Sequence, residues 1–367
     1  MRYLLALIIF FPVLASPVHS QEKEDTVSVP GKIFLSLKNI NFIKDNEYNN
    51  PITKGYTLIG YFIEPQIVYM PSKYVRLQLG SYLLNYSGDS KISKARLVFS
   101  STFKFSENTF LTLGTLNGSD KHRMFDPHFN YERKYTAYPE DGVQFVTTND
   151  HLFSDTWLSW ENFIYPGDTT REVFTSGESF RYTSGRIARI FTLEVPLQIE
   201  FKHYGGQISN YKENVWTFFN FAMGIRINLI SPGIHPLTTG IEYLQFANNE
   251  LTKTGDIGLI KGYASWYRLH FNYRFIYLGS YYWKAHDYYA PNGNQIYSCV
   301  SVVTDKYIIP NRDIWTNSLY LTVHPFNYFE MFLGFDAYYD LNLKHTDVAM
   351  TLHMDFSKLI RIASSKH

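Results

Sequence analysis

Cysteine is nearly absent. Cys299 stands alone among 367 residues, which excludes an intramolecular disulfide framework and a thiolate-rich zinc centre. Charge is scarce and balanced. Asp, Glu, Lys and Arg make up 18% of the chain, below the usual quarter. Lys and Arg number 34 against 33 Asp and Glu, for a net charge of +1, so no nucleic-acid partner is expected. No apolar run of about 18 residues follows the N-terminal segment, which argues against a helical membrane protein. There is no internal repeat, no low-complexity tract, and no NTP-binding or redox motif.

Aromatic side chains are abundant instead. The chain holds 6 Trp, 30 Tyr and 29 Phe, together 18%, a composition foreign to disordered segments. The N-terminus reads as an export signal over 1–20. Arg2 supplies the charge, Leu4 to Leu14 the short apolar stretch, and Ala15 to Ser20 a small-residue cleavage region before Gln21. Residues 21–30 read as a polar periplasmic tail, and no cysteine follows the cleavage site to carry a lipid.

The rest alternates with a period of two. Phe191, Leu193, Val195, Leu197, Ile199 and Phe201 form one hydrocarbon face, against Thr192, Glu194, Gln198, Glu200 and Lys202 on the other. The stretches 95–105, 215–229, 329–339 and 348–356 repeat the pattern. A soluble β-sandwich alternates too, but its core would exclude the charges that the polar faces carry. A watery barrel lumen accepts them. The strands are also long, and tyrosines gather near their ends (Tyr56, Tyr69, Tyr74; Tyr277, Tyr281, Tyr282), as in an interfacial girdle.

Short connections alternate with long ones, as turns and loops do in outer-membrane barrels. Seven short turns and eight loops predict 16 antiparallel strands over 31–358, with 359–367 left as a C-terminal tail. The segment 295–303 has strand propensity but would break this alternation, so it is placed in a loop. The long loops are 117–140 and 285–313.

These features resemble a Gram-negative outer-membrane β-barrel of the porin or exporter size class, Bacteroidota-like in its Tyr, Phe, Asn and Lys usage. The resemblance covers essentially all of 31–358. It implies an outer-membrane location and contact with outer-membrane lipid. The pattern Trp157-Leu158-Ser159-Trp160-Glu161-Asn162-Phe163 is distinctive without belonging to a defined family.

The expected lumen wall carries Arg76, Arg96, Lys104, Asp155, Trp157, Glu161, Glu194, Glu200, Arg226, Arg268, Glu330, Asp336, His353 and Asp355. Such charges can tune a pore, and near-balanced signs argue against strong ion selectivity. Loops 117–140 and 285–313 are expected to narrow the mouth, with Lys121, Arg123, Tyr288, Tyr289 and Tyr297 at the constriction. The expected function is passive passage of a small polar solute, a carbohydrate among the candidates. The alternative is a non-conducting barrel: a secretion or surface-assembly partner, or an outer-membrane enzyme. No enzymatic activity is expected: the nearest candidate set is His324, Glu330, Asp336, His353 and Asp355, with His353 and Asp355 on one face, and no nucleophile motif accompanies the pair; a hydrolase using the His353/Asp355 region is the alternative. No metal and no cofactor are expected either.

Overall fold

The computed structural model describes residues 30–364 apart from 207, 213 and 256. The export signal read over 1–20 and nearly all of the tail read over 21–30 lie outside these residues. Sixteen strands close into one antiparallel barrel. They are β1 (Lys32–Asn49), β2 (Lys54–Ser72), β3 (Val75–Tyr86), β4 (Lys94–Ser106), β5 (Thr109–Thr115), β6 (Asp141–Thr148), β7 (Leu152–Asn162) and β8 (Glu172–Thr183). The second half comprises β9 (Phe191–Gly205), β10 (Trp216–Ile230), β11 (Thr238–Glu250), β12 (Lys261–Tyr273), β13 (Ile276–His286), β14 (Asn311–Phe326), β15 (Phe329–Asp340) and β16 (His345–Ser364).

Each strand pairs with its sequence neighbours, and β1 closes the ring on β16 from Lys32 opposite Ser364 to Glu47 opposite Val348. β16 therefore continues to Ser364, into the stretch expected to be a tail after 358, because β1 offers it a full-length partner. A closed ring leaves no sheet edge, which satisfies the backbone in hydrocarbon.

The alternation sorts the faces as the sequence pattern requires. In β9, Gln198, Glu200 and Lys202 are buried on the inside, whereas Phe191 and Phe201 are exposed on the outside. Outward Leu97 is 74% exposed, a value that belongs to a side chain facing lipid rather than a protein core. One outward departure is Glu178 on β8, which accepts a hydrogen bond from Ser154 Oγ at 2.8 Å and another from Thr156 Oγ1.

One end of the barrel carries tight turns and the other the long loops. Segment 295–303 is loop, as the alternation required, with a 3-10 turn at Gln295–Tyr297 and a lone bridge from Val300 to Ile308. The outcome at the mouth differs from the expected constriction. The two long loops fold into the lumen and bind each other, so they obstruct it. Asn130 N donates to Asn292 O at 2.7 Å, Asn294 N donates to Asp126 O at 2.9 Å, and Tyr288 Oη donates to Pro127 O at 3.2 Å. Tyr288 and Tyr297 are buried among Phe246, Trp266 and Trp283 of the wall. The physical reason is the apolar content of 296–303. Burying it against inward wall aromatics removes it from water, and the loop backbone finds partners there.

Candidate functional site

The plug is held by charge as well as by packing. His122, on the first long loop, is fully buried, and its ring stacks on inward Trp157 at a 3.8 Å centroid distance. Its Nδ1 lies 2.9 Å from Asp155 Oδ2 and its Nε2 lies 3.1 Å from Glu140 Oε2. Burial opposes a charged ring, yet the hydrogen bonds and charges of Asp155 and Glu140 prevail and lift the imidazole to about 9. His128, buried with no such carboxylate hydrogen bond, is instead driven down to about 3 by desolvation. Gln198 ties the same loop to β9, accepting from Phe125 N at 2.9 Å and donating to Arg123 O at 3.0 Å. On the other loop, buried Arg312 of β14 pairs with Asp340 at 2.8 Å and donates to Ser298 O at 2.7 Å and Ile296 O at 3.2 Å.

The expected wall residues are on the inside, and most of them pair with one another, with neighbouring residues or with the plug. Arg226 bridges Glu194 at 3.1 Å and Glu242 at 2.9 Å, and Arg268 reaches Glu242 at 2.6 Å. Lys202 meets Glu161 at 2.6 Å, and Asn292 of the plug donates to buried Glu200 at 2.6 Å. Arg96 pairs with Asp141 at 2.6 Å and Lys104 with Glu107 at 2.6 Å. Asp336 accepts from Ser318 and Tyr320 at 2.5 and 2.7 Å. Arg76 lies low on β3, half-buried and facing inward. Of the expected constriction residues, Arg123 lies over the Phe153 ring at 4.1 Å, Lys121 stands 4.0 Å from Asp120, and Tyr289 packs edge-on against Phe218 at 5.3 Å.

Two groups have the makings of acid–base chemistry. The first is inside. His353 Nε2 lies 3.3 Å from Glu330 Oε1, Tyr135 Oη lies 3.0 Å from His353 Nδ1, and His324 lies 2.9 Å from the other Glu330 oxygen. The partner of His353 is thus Glu330 rather than Asp355: Glu330 stands directly opposite Asp355 on β15 and its side chain reaches His353 along the diagonal. His353 lies eight positions below His345, the loop-end residue of β16, or about 20 Å down the barrel at a strand tilt of about 40°.

The second is outside, at the loop end of β12–β14. His286, the last residue of β13, alternates outward from buried Ala285. Its Nδ1 lies 2.9 Å from Asn311 Oδ1, its Nε2 lies 3.5 Å from Asp287 Oδ2, and its ring centroid is 5.4 Å from that of Tyr263. Nδ1 thus meets an amide oxygen and Nε2 a carboxylate; in the tautomer with the proton on Nδ1, Nε2 is the basic nitrogen. The next outward row toward the membrane holds Ser265, Lys284 and Asp313 in register. Below that, Tyr243, Tyr267, Tyr282 and Trp315 form an aromatic row, with ring centroids 5.1, 6.2 and 6.4 Å apart.

Neither His286 nor Lys284 entered the expected site, because both fell inside or beside the stretch read as loop 285–313. The parity of β13, with Tyr281 and Trp283 inward, was the signal that could have placed them. No group of three or more His, Cys, Asp or Glu side chains is placed to hold a metal ion among the described residues.

The solved structures most similar in fold include an outer-membrane protein of Vibrio cholerae, OmpT. Its loop L8 deletion mutant aligns with a TM-score of 0.54 at 10% identity, over 90% of this chain and 100% of that one. The in-vitro folded trimer form of the same protein aligns with a TM-score of 0.51 at 9% identity, over 90% of this chain and 100% of that one. These likenesses establish the fold, an outer-membrane β-barrel. No curated protein matches the sequence. The sequence model of a family described as Lipid A 3'-O-deacylase-type matches residues 21–365. That match overturns the expectation of a protein without enzymatic activity. The absence of a nucleophile motif was a poor guide, because a His-activated water leaves no such motif.

Proposed function

The chain belongs to the Lipid A 3'-O-deacylase-type family, and on that premise we propose that it is an outer-membrane hydrolase that removes an ester-linked acyl chain from lipid A. The site we assign is the outer rim around His286. One observation carries that choice: two interlocked loops obstruct the lumen from the loop end, and every strand of the wall is paired. A bilayer lipid does not pass through that wall, so the His353 group, about 20 Å down the inside, is out of its reach. His286 lies outward at the loop end, where the ester bonds of an outer-leaflet lipid sit.

In this reading His286 Nε2 takes a proton from water, and the hydroxide forms a bond to the ester carbonyl carbon. The Lys284 ammonium, one row below, stabilises the oxyanion. Collapse breaks the bond between the carbonyl carbon and the sugar oxygen, and the imidazolium gives its proton to that departing oxygen, which leaves as the sugar hydroxyl. The products are a fatty acid and a lipid A lacking one chain. Asn311 Oδ1, accepting from Nδ1–H, favours the tautomer that this sequence requires.

The test is mass spectrometry of lipid A after incubation with the barrel in bilayers. Wild-type protein should release one acyl chain. His286→Gln should slow release by roughly a hundredfold or more, the usual contribution of a general base. Release at the wild-type rate in the variant would remove His286 from the mechanism, and no release by wild-type protein would remove the function.

Passive solute passage is the second reading. The paired charges on β9–β12 give the turn-end half of the lumen a polar wall suited to a small polar solute or carbohydrate. It requires the two loops to leave the lumen, and stable conductance steps in planar bilayers would favour it.

A further inference from the structure

The outer wall is not evenly filled beneath the aromatic row. Two positions closer to the turn end, the cross-strand partners are Ile241, Leu269, Ser280 and Asn317. The last two are short and polar in a band where hydrocarbon is the rule. The serine hydroxyl is paired on both sides: Ser280 Oγ donates to Asn317 Oδ1 at 2.9 Å, and Trp315 Nε1 donates to Ser280 Oγ at 2.9 Å. The wall can therefore be hollow there without presenting an unpaired hydroxyl to lipid. The next row toward the turn end is again hydrocarbon, with Phe271, Leu278 and Leu319 in register. The result is a groove of about 430 Å³, roofed by Tyr267, Tyr282 and Trp315 and flanked by Ile225, Ile227 and Leu269. That volume is within the range of small-molecule sites, about 300–1,000 Å³.

We propose that this groove binds one acyl chain of the lipid A whose ester is presented to His286, and that it thereby selects the chain to be removed. The inference rests on the His286 reading for the position of the ester. The occupant is hydrocarbon because the groove opens on the membrane-facing wall and its flanks are apolar. Depth supports the match. Ser280 lies six positions below His286 on β13, about 20 Å along the strand and about 15 Å along the barrel axis at a tilt of about 40°. Half of a hydrocarbon core of about 30 Å is the same length. A chain that starts at the rim and spans one leaflet ends in the hollow. A side chain of ordinary size at 280 would fill that endpoint.

The experiment compares Ser280→Leu, which fills the groove, with Ser280→Ala, which removes the hydroxyl and leaves it open. Purified barrels in mild detergent are loaded with hexa-acylated lipid A, and retained lipid is counted by native mass spectrometry. Wild type and Ser280→Ala should each retain one lipid A, and Ser280→Leu should bind it roughly tenfold more weakly. All three should keep the heat-resistant mobility of a folded barrel. Equal retention by Ser280→Leu overturns the groove, whatever the activity. Competition by a diacyl phospholipid at equal concentration also overturns it, since annular lipid would then explain the signal. His286→Gln separates the two readings. Full retention with lost hydrolysis supports both. Full hydrolysis by that variant, with weakened retention by Ser280→Leu, sinks the His286 site and leaves the groove standing.

Discussion

The plug should loosen as pH rises, and His122 sets the range. Its imidazole titrates at about 9 in the folded protein, above its unfolded value near 6.5. A group raised in this way contributes its full stability below about pH 6.5 and loses it as pH climbs through about 9. The shift corresponds to about 3 kcal/mol. A second route gives a similar size. Removing one partner of a buried ion pair costs about 3–5 kcal/mol, because the remaining charge is stranded, and here Asp155 and Glu140 are 1% and 2% exposed at their side chains. His122→Gln keeps hydrogen-bonding capacity and removes the charge, so it isolates the electrostatic part.

Hydrogen exchange of the amides in 117–140, corrected for intrinsic rates, reads the plug separately from the wall. An effect of about 3 kcal/mol amounts to roughly a hundredfold in protection. Wild-type protection should fall by that order between about pH 6.5 and pH 9, while the strand amides stay protected. The variant should start low and stay flat. Wild-type protection that does not change across this range, or a variant that keeps the slope, would refute the charged clamp.

Two further variants test the wall and the second loop. Leu197→Arg, in the middle of the lipid face of β9, should lower barrel stability by about 2–4 kcal/mol, read as the urea midpoint of folding into bilayers; no loss would contradict the outward assignment. An open lumen would tolerate Gln198→Arg, but Gln198 holds the plug at Phe125 and Arg123, so that variant should expose 117–140 to protease while the wall stays folded. Arg312→Ala strands Asp340 and frees Ile296 O and Ser298 O, which should cost the second loop about 3–5 kcal/mol. Conductance appearing only in this variant would identify the plug as the barrier, and an unaltered exchange pattern in 287–310 would show that the ion pair does not hold it.

The wall was legible because its determinant is local. Alternation at period two, as in Phe191 to Lys202, needs only the contrast between lipid and a polar interior, and a one-residue slip would turn every side chain to the wrong face. Turn lengths then fixed the count of sixteen, and the alternation of turns and loops kept 295–303 out of the wall despite its propensity. The state of the lumen was not legible. The pairings His122 with Asp155 and Asn292 with Glu200 join segments 33 and 92 residues apart, and nothing in their spacing announces them. The same inward charges serve a water-filled pore and a packed plug equally well, so the sequence pattern could not separate the two. The rim site was missed for a boundary reason. Reading loop 285–313 two residues early at its start and three late at its end removed His286 and Asn311 from the wall, and with them the parity that points His286 outward.

An obstructed lumen changes which surface of a barrel can be functional. In an open pore the inner wall meets substrate and the outer wall only has to be apolar. Here the loop-end inner groups Asp155, Gln198, Glu200 and Arg312 hold 117–140 and 285–313, so substitutions there act on the plug before they act on anything that passes. The outer wall is where the sequence departs from the hydrocarbon rule at apparent expense: a histidine beside an amide oxygen at the rim, a lysine below it, a row of stacked aromatics, and then serine and asparagine where leucine or phenylalanine would bury more surface. Membrane barrels do not need such a series on one short arc of wall, and β9 shows the plain alternative in Leu193, Val195, Leu197 and Ile199. A rigid plug also steadies that arc from behind, since Trp283, on the inner face of β13, donates to Tyr297 O of the plug at 3.1 Å. Catalytic geometry on the outside then rests on packing inside, which links the pH dependence of the His122 clamp to the activity expected at His286.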